Sequence, residues 1–330
     1  MRLGNDIQDA RFVGPHERLL FLRSLPQAVF EDPDFQMAFA LRLRERTFRR
    51  GSVLSAEGEP PRMVHFLVEG RVTLRRRGHL LMTVEPPFAV GFLHTLAQSG
   101  ESVEMRAEED TITLAMSTDE IWVFLEENFG FLRSAFSISA KQLAEAQHDL
   151  ERRGRMDREP AQAGPEPTDE PLDLVQRIEI LTGRGPYAEA ALDAVVDLAE
   201  AAEERRYPAG DVLWSEGEAS AYGCHLVSGI VRCRSRDGQV SFRLGAGDVI
   251  GHLDAFGGLP RRYDAVAETP LLVLRMDTET IFDVLEEEFA LGQSFLGFMN
   301  RILLDLYEKL ARVEEEEAGR PGQRKTAHPA

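Results

Sequence analysis

Apolar and polar positions change their period in the same order twice along this chain. Helical spacing comes first, over 18–30 and 34–46, and again over 172–181 and 187–204. In the last of these Ala191, Leu192, Val195, Val196, Leu198, Ala199 and Ala202 fall at helical intervals. Each helical stretch gives way to about 70 residues of short strands punctuated by glycine: Gly51, Gly58, Gly70, Gly78 and Gly91, then Gly210, Gly217, Gly229, Gly238 and Gly251. Arg236-Asp-Gly-Gln239 predicts a tight hairpin, because Asp-Gly tolerates the positive φ of a two-residue turn. Such short, evenly punctuated strands predict an antiparallel sandwich or barrel and exclude a parallel sheet. A helix then closes each stretch. Ser117-Thr-Asp-Glu120 is a capping box that predicts helix onset at Ile121. In the second stretch Leu296, Met299, Leu303, Leu306, Leu310 and Val313 alternate steps of three and four, a heptad seam; Leu132, Phe136, Leu143, Ala146 and Leu150 form a weaker version. Two uses of the seam stay open: packing inside the chain, or a homodimer contact through the C-terminal helix.

The alternation repeats because the sequence repeats. Phe48-Arg-Arg-Gly51-Ser-Val53-Leu54-Ser-Ala-Glu57-Gly58-Glu59 is answered by Tyr207-Pro-Ala-Gly210-Asp-Val212-Leu213-Trp-Ser-Glu216-Gly217-Glu218 at an offset of 159. Phe124-Leu125-Glu126-Glu127 is answered by Val284-Leu285-Glu286-Glu287 at 160. A period of that length is domain-sized, well beyond the units of a solenoid. Two copies of one domain are expected at 18–153 and 172–313. Between them, 154–171 carries four prolines, many charges and almost nothing large and apolar, the composition of a linker. The acidic run from Glu314 and the Gly- and Arg-containing end predict a disordered tail over 314–330.

Charge narrows the partners. The net charge of −18 repels phosphate backbones and disfavours nucleic acid. There is no apolar run of membrane-spanning length. The two cysteines, Cys224 and Cys233, lack metal-ligand spacing and suit a reducing cytoplasm. The eight histidines show no His-X-His pair, so no metal is expected, and no nucleophile elbow or phosphate loop is present. Catalysis is therefore not expected.

The order of helices, glycine-punctuated strands and closing helix, with Gly210-Asp-Val-Leu-Trp-Ser-Glu-Gly-Glu218, resembles the cyclic nucleotide-binding domain of catabolite activator proteins and of the regulatory subunits of cAMP-dependent kinase. The resemblance implies two tandem antiparallel jelly-roll barrels, each closed by a C-terminal helix. It also implies a binding cassette of the form Phe-Gly-Glu-Leu-Ala followed by Pro-Arg-X-Ala, in which backbone N–H groups and the arginine meet a cyclic phosphate and the glutamate meets the ribose. In copy two Gly251, Leu253, Pro260 and Arg261 match, Arg262 follows, and His252 stands where the glutamate belongs. Neutral imidazole has one acceptor and no charge, so the ribose half is weakened. Asp254 is expected to point elsewhere, being two positions on. In copy one Phe92 replaces the glutamate and Glu101 the arginine, which opposes a phosphate. No kinase-inhibiting Arg-Arg-X-Ala/Ser segment precedes copy one, so that activity is not carried over. The expectation is a non-catalytic regulatory protein without cofactor, whose second copy takes cAMP, cGMP or a related anion through Gly251, His252, Leu253, Pro260, Arg261 and Arg262. It would signal to a protein partner through the helix bearing Leu296, Met299, Leu303, Leu306 and Leu310. The alternative is a ligand-independent scaffold.

Overall fold

The computed structural model describes residues 14–25, 33–98, 103–166, 170–183, 187 and 191–318. Copy one opens with α1 (Pro15–Ser24) and α2 (Pro33–Arg42). Its strands form two four-stranded sheets. One runs in the order β1 (Arg44–Phe48), β8 (Thr111–Ser117), β3 (Met63–Glu69), β6 (Phe88–Val90); the other runs β2 (Val53–Ser55), β7 (Glu104–Ala107), β4 (Val72–Arg76), β5 (His79–Val84). A short helix, α3 (Phe92–Ala97), lies between β6 and β7, and α4 (Thr118–Glu127) and α5 (Phe129–Arg152) end the copy.

Copy two repeats this element by element. After α6 (Leu174–Gly183) and α7 (Leu192–Ala201), one sheet is β9 (Glu203–Tyr207), β16 (Leu271–Asp277), β11 (Tyr222–Ser228), β14 (Val249–Ile250). The other is β10 (Val212–Trp214), β15 (Asp264–Ala267), β12 (Val231–Arg234), β13 (Ser241–Leu244). The helices are α8 (His252–Phe256), α9 (Thr278–Glu287) and α10 (Phe289–Ala318). Every strand pair is antiparallel. Among the described residues each copy is thus a jelly-roll-like sandwich of two four-stranded sheets.

Two helix ends differ from the sequence expectation. Residues 44–48 and 203–207 are not helical but form β1 and β9, each on the edge of its sheet. An edge strand keeps one face in water, so its alternating charges imitate a solvated helix. The closing helix also breaks in two. The Ser117 capping box forms as expected, its hydroxyl 3.2 Å from the Glu120 N–H, and Asn128 then ends α4 and caps α5 by accepting from the Phe131 N–H at 2.8 Å.

The two long helices pack against each other along the heptad seam. α5 and α10 pack side by side and parallel: the Phe136 and Phe295 rings stand 5.4 Å apart, Asn300 Nδ2 donates to Ser139 Oγ at 3.1 Å, and Arg153 reaches Glu317 at 3.1 Å. Leu296, Met299, Leu303, Leu306 and Val313 are buried, with Leu310 partly so, in one core cluster together with Leu132, Phe136, Leu143, Ala146 and Leu150. The face read as a homodimer seam is therefore closed by the chain's own α5. Ends exchange partners as well. α5 packs on α8 of the other copy, where the Phe136 and Phe256 rings lie 5.9 Å apart. α10 packs on α3, where Arg301 donates to the Ala97 carbonyl at 3.2 Å and Gln98 to the Gln293 carbonyl at 3.0 Å.

The connecting segment is irregular, as its prolines dictate, but it is docked. Gly229 N–H donates to the Ala163 carbonyl at 2.6 Å and Ala246 N–H to the Gln162 carbonyl at 2.7 Å, while Arg158 stacks on the Phe242 ring at 3.9 Å. The acidic run expected to be disordered from 314 is instead helical to Ala318, because Arg153 and Arg155 at the end of α5 pair with Glu314, Glu316 and Glu317. The rest of that tail, 319–330, lies outside the described residues.

Candidate functional site

In copy two the candidate cassette begins at a glycine whose position penalises any side chain. Gly251 has φ of 84°, and a Cβ there would stand 2.5 Å from Arg261 Nη1 and 2.9 Å from the Trp214 ring. That crowding exists because Arg261 lies under the turn. Its Nη1 donates to the Gly251 carbonyl at 2.9 Å and its Nη2 to the Tyr222 carbonyl at 2.6 Å. Its guanidinium is stacked 4.0 Å over Trp214 and 4.7 Å over Tyr222, and only 1% of the residue is exposed. Arg261 does not line the cavity beside the cassette, and Pro260 is exposed outside it. The arginine expected to meet a phosphate is instead a brace that fixes the turn against the sheet.

The cavity, about 350 Å³, does include Gly251, His252, Leu253 and Arg262. Arg262 is the cation it presents, and Arg262 is occupied. Its Nε donates to Asp254 Oδ1 at 2.6 Å and its Nη1 crosses to copy one to donate to the Ala144 carbonyl at 2.6 Å. Burial works against its charge, but the Asp254 carboxylate outweighs this and holds Arg262 above the ordinary arginine range. A second cation, Arg158 of the connecting segment, pairs with Glu151 of α5. Asp254 thus enters the site against expectation, and its other oxygen, Oδ2, is buried without a hydrogen-bond partner.

His252, where the resemblance implies glutamate, turns its ring inward over Gly223, whose missing side chain makes the room: a Cβ there would lie 2.2 Å from His252 Nδ1. Its ring meets that of His225 on β11 edge to face at 5.2 Å, and His225 in turn meets Tyr187 at 5.8 Å. Burial pushes the His225 imidazole down to about 4, and burial, His225 and Arg261 together push His252 well below the ordinary histidine range. The Ile250 carbonyl favours the charged form of His252, yet it lies outside good hydrogen-bond geometry, and burial dominates. Both rings are neutral at pH 7. His225 Nε2, both His252 nitrogens and the Tyr187 hydroxyl make no hydrogen bond, so this wall carries unmatched donors and acceptors.

Copy one builds the same turn with other chemistry. Gly91 has φ of 99° and caps α3, and Phe92 points an aromatic ring where the glutamate would be, 5.7 Å from Phe66 and 6.4 Å from Phe131. Glu101 lies outside the described residues. Sequence reasoning missed the residues reaching in from the opposite copy, Leu143, Gln147 and Glu151 in copy two's cavity and Asn300 and Tyr307 in copy one's, because only tertiary packing brings them there. Among the described residues no group of three or more His, Cys, Asp or Glu is placed to hold a metal ion, and no helix is long and apolar enough to cross a membrane. Cys224 and Cys233 are buried and unpaired, and burial pushes the Cys224 thiol up to about 12.

A family model described as the cyclic nucleotide-binding domain matches residues 45–128 and again residues 204–288. The chain belongs to that family. Tandem cyclic nucleotide-binding domains account for both sandwiches and for the repeat between them. Among solved structures, the regulatory subunit of a cAMP-independent protein kinase A from Trypanosoma brucei is 14% identical, over 97% of this chain and 94% of that one, with a TM-score of 0.33. A cyclic nucleotide-binding-like protein from Brucella abortus is 25% identical, over 33% of this chain and 97% of its own, with a TM-score of 0.30. A cyclic nucleotide-binding domain from Methylobacillus flagellatus is 20% identical, over 45% and 86%, with a TM-score of 0.37. No curated protein matches.

Proposed function

We propose that this chain is a non-catalytic, cytoplasmic regulatory protein whose second cyclic nucleotide-binding domain senses a planar, phosphate-free heterocycle of the nucleoside kind. Ligand entry would move α5 relative to α8. The observation that carries this reading is the position of the cavity: it lies between the cassette of copy two and the closing helix of copy one, with Arg262 spanning the two. Occupancy there bears on the contact between domains, and a partner protein reads the result. The chemistry of the wall argues against a cyclic phosphate. Arg261 is committed to carbonyls, Arg262 and Arg158 have carboxylate partners, and the free oxygen of Asp254 opposes an anion. Neutral His252, with both ring nitrogens unpartnered, and His225, with Nε2 unpartnered, instead offer neutral hydrogen-bonding groups beside aromatic rings, which suits a base.

Calorimetry on the full chain with adenosine, guanosine, cAMP and cGMP tests the reading. A nucleoside binding at least about tenfold tighter than its cyclic phosphate is the expected result. A cyclic nucleotide binding tighter than its nucleoside overturns it. The pairing of all three cations also favours a second reading, a ligand-independent scaffold, and silence from all four compounds selects that one.

A further inference from the structure

Copy one has kept a cavity in the corresponding place, larger than that of copy two at about 450 Å³. Its wall is made by Leu81 and Met82 of β5, Phe88 of β6, Phe92 of α3 and Phe131 of α5. Ser139, Gln142 and Glu145 from α5 and Asn300 and Tyr307 from α10 give it one polar side. Among the described residues no lysine or arginine lines it and Glu145 is its one charged group, so an anion entering would leave water without a counter-charge from them.

One feature of the wall has no structural partner. His94, on α3, is 2% exposed and lines the cavity, and neither of its ring nitrogens makes a hydrogen bond. Burial, aided by the charge of Arg76, pushes its imidazole down to about 4, so the ring is neutral at pH 7 with one N–H to give and one lone pair to receive. Buried polar groups without partners are rare in native proteins, and this one sits in the cavity wall, where a turn of the ring would bring a nitrogen to a bound molecule.

We propose that copy one is a second ligand site, for an uncharged apolar small molecule bearing a hydroxyl or carbonyl that meets His94. The apolar body replaces contacts that the aromatic wall lacks when empty, and the single polar group matches the imidazole. This assignment does not depend on what copy two binds.

The probe is the uncharged fluorescent lipophile N-phenyl-1-naphthylamine, titrated into the full chain and displaced by three ten-carbon competitors: decan-1-ol, decanoate and decylammonium. Saturable binding to one site, with decan-1-ol displacing the dye at least about tenfold better than decanoate, is the expected result. Ala135→Trp fills the cavity from α5 and should weaken the dye at least about tenfold, with the far-ultraviolet circular dichroism unchanged. His94→Leu, of similar bulk, should keep the dye and lose about threefold or more of the decan-1-ol competition, a change of roughly one hydrogen bond's worth. No saturable binding, equal competition by decanoate, or dye binding untouched by Ala135→Trp, which would place the dye on the outer surface, each overturns the proposal.

Discussion

The two cassettes share a backbone and differ in nearly everything that faces their cavities. Both start at a left-handed glycine, both continue as a short helix, and both are covered by the long helix of the opposite copy. Copy two keeps charge in its site but spends it internally, with Arg261 bracing the turn and Arg262 tied to Asp254. Among the described residues copy one presents an aromatic wall with no cation in it, Glu145 on its polar side and a neutral imidazole without a hydrogen-bond partner. The fold is held by the turn and the exchanged helices, so the lining was free to change. What a cyclic nucleotide-binding domain binds has to be read from side-chain partners rather than from the cassette's letters.

The largest effect should come from the element that joins the copies. Leu303→Glu with Leu306→Glu places two charges in the shared core and should destabilise the chain by more than about 4 kcal/mol in urea unfolding. Were the seam a dimer contact instead, light scattering would show the mass halved and the fold kept.

Next is the brace. Arg261→Ala leaves the Gly251 and Tyr222 carbonyls without their donors and opens a gap beside Trp214, a loss of about 3 kcal/mol in denaturant unfolding. A phosphate ligand role would show the reverse, lost ligand affinity with stability kept.

Gly251→Ala and Gly91→Ala should each cost about 2 kcal/mol, since each holds a positive φ. They part in a double-variant test. The Cβ at 251 meets the Arg261 side chain, whereas that at 91 meets the Met63 carbonyl at 2.8 Å. Arg261→Ala should therefore relieve part of the first penalty, and truncating a side chain has no such lever on the second.

Acid sharpens the comparison more gently. His65 and His94 in copy one and His225 in copy two are all held down to about 4 by burial. The unfolded chain takes up these protons near the ordinary 6.5 and the folded chain only near 4. Stability is therefore fully present above pH 6.5 and falls as pH drops toward 4. His225→Gln should remove about 1.5 kcal/mol of the loss between pH 6.5 and 5, read from urea midpoints at each pH.

Much of the fold was legible because its signals are local. Glycine spacing marked the strands, Ser117 and Glu120 marked a helix start, and the repeat marked two copies. β1 and β9 were misread because edge strands rich in Arg and Glu lack a strand's apolar alternation. The site was less legible. Whether Arg261 or Arg262 faces the cavity turns on the direction of one residue after a turn, which spacing does not encode. Asp254 was set aside by helical geometry, yet α8 is too short for the facing rule to decide its direction. The partner of the Leu296–Val313 stripe was open because a heptad specifies an apolar face and not which helix covers it.

Each copy's long helix covers the other copy's cassette within one chain. Gly257 ends α8, and a Cβ there would stand 3.2 Å from Lys141 Cγ of α5. Lys141→Cys with Gly257→Cys, oxidised mildly and weighed by mass spectrometry, should give a disulfide inside a single chain, because the native thiols are buried. Two chains linked to each other, or free thiols at both positions in the folded protein, would contradict the account.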